Sequence, residues 1–139
     1  MKYKYLDHTA DIMFEAYGNS LNELFENSAL ATEESMVNLA QIKPKLKKEI
    51  SLENKNIEYL LFDFLGELIY FKDAELLLFS KIKVDIKKEE KLYKLKALLK
   101  GEKLREEHEQ KVDVKAITFH KFEIKKLKEK YSARVILDI

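Results

Sequence analysis

The chain has 139 residues, enough for one compact domain. Apolar residues make up 46% and charged residues 37%, with three Gly and one Pro, a composition that excludes collagen-like and disordered chains. Cys is absent, which excludes disulfides, zinc-thiolate sites and thiol catalysis, and a net charge of +1 is not typical of a basic nucleic-acid-binding domain. We expect a single domain over residues 1–139.

The near-neutral total charge hides an asymmetry between the two parts of the chain. Residues 1–80 carry 8 basic and 14 acidic side chains, whereas residues 81–139 carry 18 and 11. A solvated lysine-rich face explains this excess, and a docking surface for RNA or an acidic partner is the alternative. No apolar run reaches the roughly 20 residues of a membrane-spanning helix, and the N-terminus is unlike a secretory leader, so we expect a soluble, cytoplasmic protein without a membrane partner.

The N-terminal quarter of the chain predicts two strands and a helix. Apolar and polar residues alternate from Tyr3 and again from Ile12, on either side of a polar run, so we expect strand, polar loop and strand. Ser20 and Glu23 have the spacing of a capping box. Apolar residues then recur at helical intervals, which predicts a helix over residues 20–36.

The middle of the chain predicts a strand and a second, more buried helix. Alternation over residues 46–52, after Pro44, is typical of a strand with one wet face. From Asn56, which can serve as N-cap, apolar residues follow at i, i+3, i+4 and i+7. Gly66 lies inside this helix, where it costs about 1 kcal/mol relative to Ala and therefore indicates the close approach of another element.

The C-terminal half changes to a period of two. Residues 82–86 and 93–99 predict a long hairpin that turns at residues 88–91, followed by a charged loop or short helix over 101–111, which we expect to be the most mobile segment. Three further strands are expected, at residues 112–116, 122–124 and 133–137. The last is apolar on both faces, as an interior strand would be. The predicted fold is α+β, with two main helices packed on one face of a largely antiparallel multi-stranded sheet.

The polar run at residues 7–11 holds the densest group of chemically active side chains. Asp7, His8 and Asp11 place two carboxylates and an imidazole between two predicted strands. Two aspartates four residues apart on a loop can converge on one hard cation such as calcium, magnesium or manganese. Closing the loop through hydrogen bonds from side chain to backbone is the alternative that spacing alone leaves open.

The last two residues, Asp138 and Ile139, place a side-chain carboxylate next to the terminal carboxylate. Two anions this close repel each other unless something neutralises them. A cation held by Asp138, the Ile139 carboxylate and Asp11 would do so if the first loop and the last strand are neighbours. A frayed, solvated tail is the alternative.

The usual catalytic motifs are missing from the sequence. It contains no Ser-His-Asp order, Gly-rich phosphate loop or HExxH helix, and we expect the isolated His108 and His120 to be structural or solvated. An enzyme would have to use Asp7, His8 and Asp11 as a metal-water site. We therefore expect a protein that is not itself a catalyst.

Several segments resemble the archease family, and they are spread over nearly the whole chain. The opening DHTAD and the closing carboxylates are the specific parts of the resemblance, whereas the helix matches also follow from core packing. Phe64-Leu65-Gly66 stands where the family often has Trp-Leu-Asn, and Phe119 stands where Tyr is common; both replacements are compatible with packing. The matching segments are residues 7–12, Tyr17-Gly18, Leu24-Phe25, residues 60–63, residues 67–70, Gly101-Glu102, residues 114–118 with His120, and residues 133–138.

The resemblance implies a small accessory protein and not an enzyme. It implies an activator of the RtcB-type RNA-splicing ligase, which joins tRNA halves, so that association with tRNA would be indirect. The activator would promote guanylylation and multiple turnover of the ligase and broaden the nucleotides that it accepts. The resemblance also implies a divalent-cation site, calcium first and magnesium or manganese as alternatives, on Asp11, Asp138 and the terminal carboxylate of Ile139.

These residues suggest how such an activator would act. Nucleotidyl transfer is limited by positioning and charge neutralisation, so a partner that presents a bound cation or arranged carboxylates could reset the ligase after each turnover. Asp7, Asp11 and Asp138 would organise this group and His8 would fix the loop. Lys115 would contact the ligase or nucleotide phosphates, although an exposed strand-face lysine is an equally good interpretation.

Two functions from other classes remain open. An RNA-binding or chaperone-like module is suggested by the basic second half, in which Tyr93, Phe119 and Phe122 lie among lysines, although alternating positions favour core packing for these rings. A metal-dependent phosphohydrolase would turn over alone with manganese or magnesium.

Overall fold

Two helices and seven strands make up the described part of the fold. The computed structural model describes residues 1–8 and 10–139, and Thr9 of the polar run lies outside the described residues. In chain order the elements are β1 (Tyr3–Leu6), β2 (Ile12–Gly18), α1 (Leu21–Met36), a short 3-10 helix (Leu39–Gln41), β3 (Leu46–Asn54), α2 (Ile57–Glu75), β4 (Leu77–Glu89), β5 (Leu92–Lys103), β6 (Ala116–Leu127) and β7 (Lys130–Asp138).

The strands form two antiparallel sheets. One has the order β1-β2-β7-β6 and the other β3-β5-β4. Each helix contacts both sheets: α1 packs on β2 and β4, and α2 packs on β6, β3 and β4. The predicted α+β class, with two main helices and antiparallel strands, is confirmed; the strands divide between two sheets where the sequence suggested one.

The division into two sheets follows from the position of α1 along the outer edge of β4. Three backbone N–H groups on this edge, which an edge strand would leave unpaired, donate to polar side chains of the helix. A helix thus takes the place of the next strand, and the sheet ends there. The donor and acceptor pairs are Ile86 N to Asn22 Oδ1 (2.8 Å), Val84 N to Glu26 Oε2 (2.8 Å) and Phe79 N to Glu33 Oε2 (2.9 Å).

Glu33 makes this edge sensitive to pH. Its carboxyl is fully buried, and burial raises its pKa from 4.5 to about 8, although the Phe79 N–H and the charge of Lys72 oppose the shift. Because the folded pKa lies above the unfolded value, the folded state holds the proton more tightly. Stability is therefore fully present at low pH and is expected to fall by about 1.4 kcal/mol per pH unit as the pH rises through the interval between the two values.

Glu33→Gln is expected to remove this pH dependence, because the amide keeps an acceptor for the Phe79 N–H and cannot ionise. Urea unfolding of both proteins between about pH 5 and about pH 9 measures the difference. Glu67→Gln, which changes a half-buried carboxylate of α2, is the control and should behave like the unmodified chain. Parallel stability curves for the unmodified protein and Glu33→Gln would contradict the prediction.

Both helices begin where the sequence predicts. Ser20 Oγ accepts a hydrogen bond from the Glu23 N–H at 3.1 Å, and the Glu23 carboxylate accepts one from the Asn19 N–H at 3.0 Å. Asn56 Oδ1 accepts from the Tyr59 N–H at 2.9 Å. These bonds satisfy amides that the first turn of each helix leaves free.

Gly66 does not mark a close approach, so that expectation is wrong. Nothing lies within 4 Å of the position where a Cβ would stand. Gly66→Ala is therefore expected to stabilise the protein by about 0.5–1 kcal/mol, since Ala restricts the unfolded chain and fits a helix without strain. Thermal unfolding should show a melting temperature raised by a few degrees, and a lower one would contradict this prediction.

The C-terminal strands agree with the sequence in part. The β4–β5 hairpin turns at Glu90, whose φ is 56°, and β7 lies between β2 and β6 as an interior strand. The strand expected to begin at residue 112 is wrong, because residues 112–115 are irregular and β6 begins at Ala116. Phe122 and Ile124 belong to that same β6. Its pairing shifts between residues 118 and 123, where Lys121 has a φ of 55°, and this break in alternation made one strand look like two.

The charged segment after β5 is fastened to both helices. At the end of α1, the Lys111 N–H donates to the Met36 carbonyl at 2.9 Å. From α2, the buried Lys72 ammonium lies 2.5 Å from Asp113 Oδ1 and donates to the Val114 carbonyl at 2.7 Å. No helix forms over the predicted 101–111, all of which is described, and the first three of these residues complete β5.

The core fills the space between the helices and the two sheets. Four fully buried phenylalanines anchor it, and Phe25 of α1 stacks on Phe64 of α2 with ring centroids 6.0 Å apart. The other two are Phe14 and Phe79, one from each sheet. Among the described residues, no helix has the length and apolar character needed to cross a membrane.

Candidate functional site

The first loop and the end of the chain meet at one end of the four-stranded sheet. β2 and β7 pair in antiparallel register with Ile12 opposite Leu137, and the next residues at that end are Asp11 and Asp138. Residues opposite each other in antiparallel strands project to the same face. The register therefore places the backbones of Asp11 and Asp138 side by side at this end of the sheet, and the shared cation stays a prediction.

Lys115 lies at the same end of this sheet. Ala116 of β6 pairs with Asp138 on the side away from β2, and the Lys115 N–H donates to the Asp138 carbonyl at 2.7 Å. The Lys115 side chain is exposed, as are Asp138 and Ile139. The end of β7 and the residue that precedes β6 therefore present charged groups to solvent at the same end of the sheet.

Next to this sheet end lies a groove of about 390 Å³ between the first loop, the end of α1 and the segment after β5. Asp7, His8 and Asp11, the three residues of the polar run that the sequence singled out, all line this groove. Asp138, Ile139 and Lys115 do not line it. The lining residues are Tyr5, Leu6, Asp7, His8, Asp11, Ile12, Glu34, Ser35, Lys111 and Val112.

The groove is acidic. Asp7, Asp11 and Glu34 contribute three carboxylates, against a single cation from Lys111. Lys111 Nζ lies 3.8 Å from Glu34 Oε1, and the other Glu34 oxygen accepts from the Leu39 N–H at 2.7 Å. The two aspartates have no ion pair within the described residues, so the groove favours a cation or a positively charged group of a partner.

Two ring side chains shape the wall of the groove. The Tyr5 hydroxyl donates to the Ala31 carbonyl of α1 at 2.7 Å, and burial raises its pKa far above the usual range, so the phenol stays neutral. His8 is half-buried, and within residues 1–8 and 10–139 its Nδ1 has no hydrogen-bond partner. An imidazole nitrogen can accept a hydrogen bond or bind a metal ion when it carries no proton.

The donor set at the sheet end suits a hard cation only if the chain terminus takes part. Among the described residues, no three side chains of His, Cys, Asp or Glu lie close enough together to hold a metal ion. Asp11 and Asp138 supply two carboxylates, and the terminal carboxylate of Ile139, as predicted from the sequence, would be the third oxygen group. All three are the oxygen ligands that calcium and magnesium prefer.

Sequence reasoning missed Tyr5, Glu34 and Lys111, which complete the groove. One signal for Glu34 was present: it lies near the last turn of α1, which contains no basic residue. An acidic side chain is unfavourable at a helix C-terminus, so its presence there indicates another role. Tyr5 alternates like any strand residue, and nothing in the local pattern singles out Lys111.

The remaining histidines have the structural or solvated surroundings that were expected. His108 is buried, its Nδ1 accepts from the Arg105 N–H at 2.9 Å, and its Nε2 lies 3.5 Å from Glu102 Oε2. His120 is exposed on β6. Three aromatic residues were considered for stacking on RNA. Phe122 belongs to the hydrophobic core, Tyr93 packs against that core, and Phe119 is 42% exposed.

Comparison with known proteins identifies relatives over the whole length of this chain. Residues 3–139 match the model of the "Archease protein family (MTH1598/TM1083)". The archeases of Thermococcus kodakarensis and Pyrococcus abyssi are each 43% identical to this chain over 140 residues, and each match covers 99% of this chain and 99% of the relative. The archease of Methanothermobacter thermautotrophicus is 39% identical over 137 residues, covering 99% of this chain and 98% of its own.

Two solved structures share the fold. The solution structure of Methanobacterium thermoautotrophicum protein 1598 superposes with a TM-score of 0.90 at 38% identity and 99% coverage of both chains. An archease of Thermotoga maritima, described as a possible chaperone, superposes with a TM-score of 0.65 at 24% identity, covering 98% of this chain and 96% of its own. Together with the matches in sequence, these likenesses establish that this chain belongs to the archease family.

Proposed function

We propose that this protein is a non-catalytic activator of an RtcB-type RNA-splicing ligase in tRNA splicing. It promotes guanylylation of the ligase, allows repeated turnover and broadens the nucleotides that the ligase accepts. The observation that carries the proposal is the meeting of Asp11 and Asp138 at one end of the four-stranded sheet, beside an acidic groove, in a chain of the archease family.

The proposed action is electrostatic. The ligase must bring a nucleoside triphosphate and divalent metals onto a nucleophilic side chain, a reaction limited by positioning and by neutralisation of phosphate charge. Asp11, Asp138 and the terminal carboxylate of Ile139 would hold a divalent cation, calcium first, which supplies positive charge at the mouth of the ligase when bound. Asp7 extends the acidic groove, and His8 would fix the loop that carries Asp7 and Asp11.

Lys115 has a separate role in the proposal. Its backbone is fixed by the hydrogen bond to the Asp138 carbonyl, while its side chain extends into solvent at the carboxylate end. A lysine in that place can reach a phosphate or a carboxylate of the bound ligase as a flexible point charge. We propose it as a partner contact.

The experiment is RNA joining by an RtcB-type ligase with excess RNA ends, GTP and manganese, with and without this protein. The expected result is a change from a single turnover per ligase molecule to many, together with faster guanylylation. If the protein broadens the nucleotides that the ligase accepts, it should stimulate RNA joining by a larger factor when ATP replaces GTP. A ligase that is indifferent to the protein overturns the proposal.

Two further measurements distinguish the proposed activator from a chaperone and from a phosphohydrolase. A chaperone would slow the loss of ligase activity during incubation without changing the initial rate of guanylylation, and an unrelated carrier protein would partly replace it. A phosphohydrolase would release phosphate with manganese or magnesium in the absence of ligase. The family relative described as a possible chaperone makes the first of these measurements necessary.

A further inference from the structure

The outer face of the three-stranded sheet carries an unusual density of lysine. Its alternate residues point away from the helices and form four rows across the strands, in the registers that pair β5 with β3 and β4. Seven of these twelve positions are Lys and three are acidic. We call this the lysine face; it consists of Lys47, Glu49, Ser51 and Glu53 of β3, Lys100, Leu98, Lys96 and Lys94 of β5, and Lys81, Lys83, Asp85 and Lys87 of β4.

One row of the lysine face is entirely basic. Lys100 of the central strand lies opposite Lys47 on one side and Lys81 on the other. Side chains in such positions start about 5 Å apart, and like charges directly opposite each other destabilise a sheet. Local stability does not explain three lysines in a row, because a single acidic replacement would turn repulsion into attraction.

The lysines of this face also have little compensation from carboxylates. Within the described residues, only Lys94 forms an ion pair, with Glu89 at 2.9 Å. The chain as a whole carries a net charge of +1, so the excess on this face leaves the rest of the molecule net negative. The lysine face itself carries a net charge of +4, from seven lysines and three acidic residues, and the other residues together carry −3.

The shape of the lysine face suits a long polyanion. β4 and β5 run for 13 and 12 residues, and their outward side chains, which are lysines except for Asp85 on β4 and Leu98 on β5, repeat at about 6.6–6.8 Å. Lysine ammonium groups bind phosphate as mobile point charges and demand no fixed geometry. The outward residues include no aromatic ring, so the face offers contacts to a phosphate backbone and none for stacking bases.

We propose that the lysine face binds the phosphate backbone of double-helical RNA without sequence preference. The choice of RNA among polyanions rests on the proposed function in tRNA splicing. The face belongs to the sheet that does not carry Asp11 and Asp138, so RNA docking and the carboxylate end are on different sheets of the protein. The binding energy comes from counterion release, which makes it strongly dependent on salt.

The test compares two triple variants in a binding assay that contains no ligase. The first is Lys47→Gln with Lys81→Gln and Lys100→Gln, which removes the basic row. The matched control is Lys121→Gln with Lys128→Gln and Lys130→Gln, which removes the same charge from exposed positions of the β6–β7 hairpin in the other sheet. Fluorescence anisotropy with a labelled RNA duplex, a DNA duplex of the same sequence and polyglutamate is measured over a range of salt concentrations.

The unmodified protein and the control triple should bind the RNA duplex alike, with affinity that falls steeply as salt rises. The basic-row variant should bind at least about tenfold more weakly, and its slope of log affinity against log salt should decrease by about 2.7, or about 0.9 for each lost phosphate contact. Its melting temperature should be unchanged or higher, because the substitution removes repulsion. Such a result supports the proposal.

Three outcomes overturn the proposal. The first is an equal loss of binding in both triples, which would reflect overall charge. The second is no RNA binding even at low salt. The third is stronger binding to polyglutamate or to DNA than to RNA, which would assign the face to an acidic protein or to another nucleic acid. Because no ligase is present, none of these results depends on whether the protein activates one.

Discussion

Asp11→Ala is expected to abolish stimulation of the ligase and to leave the fold intact. Asp11 and Asp138 extend from a paired register at the end of the sheet, so removing either carboxylate halves the side-chain ligands available to a cation. Asp11 is half-buried and Asp138 is exposed, carboxylates that keep contact with solvent contribute little to stability, and two anions in proximity repel each other. Turnover in excess RNA should return to the level of the ligase alone, while thermal unfolding in the absence of divalent cations changes by no more than a few degrees.

Asp138→Ala should give the same result, and Asp63→Ala is the matched control. Asp63 is an exposed carboxylate on α2, away from the sheet end. Calcium titration adds a readout without the ligase: the melting temperature of the unmodified protein and of Asp63→Ala should rise with calcium, and that of the other two variants should not. Full stimulation by Asp11→Ala would refute the cation site. Unfolding of that variant would assign the carboxylates a structural role in joining the ends of the chain.

Gly101→Ala is expected to cause the largest loss of stability, about 3 kcal/mol or more. A Cβ at this position of β5 would lie 1.8 Å from the carbonyl oxygen of Leu78 and 2.7 Å from the Cα of Phe79. Both are backbone atoms of β4, next to the place where its register with β5 shifts, so no side-chain rotation relieves the clash. Unfolding in urea should show a much lower midpoint, and poor solubility on expression would agree with it.

Gly66→Ala serves as the control for Gly101→Ala, since both add one methyl group to a glycine inside a regular element. The open surroundings of Gly66 predict a small gain in stability where the closed surroundings of Gly101 predict a large loss. An unchanged midpoint for Gly101→Ala would mean that β4 can move away from β5 at the irregular position. The sequence alone does not show which of the two glycines is approached by another element, because the residues of β4 that approach Gly101 lie more than 20 residues away along the chain.

The elements that could be predicted from sequence are those whose stability is local. The N-caps at Ser20 and Asn56 and the turn of the β4–β5 hairpin depend on residues within a few positions of each other, and the apolar run that indicated β7 as an interior strand is contiguous in the sequence. The irregular pairing of β6 defeated the same reasoning, because a shift in register near Lys121 breaks the alternation that identifies a strand.

The candidate site was predicted in part for a comparable reason. The polar run with Asp7, His8 and Asp11 is contiguous, so its density of functional groups is visible in the sequence. From the sequence, the position of this run beside Asp138 could be stated only as a condition, and Glu34 was missed. Both positions depend on contacts between segments that are distant along the chain. The archease resemblance implied the same three groups, Asp11, Asp138 and the Ile139 carboxylate, that the positions of the residues had already suggested.

The sequence by itself determined the α+β class, both helices with their caps, the hairpin and the two acidic segments at the ends of the chain. Only the tertiary structure decided that α1 closes the edge of β4, that the strands divide into two sheets and that lysines from three strands form one face. The physical reason is the distance along the chain between the residues that interact. Caps and periodicity are fixed by hydrogen bonds and burial between near neighbours, whereas sheet order and register depend on which distant segments bury their apolar faces together.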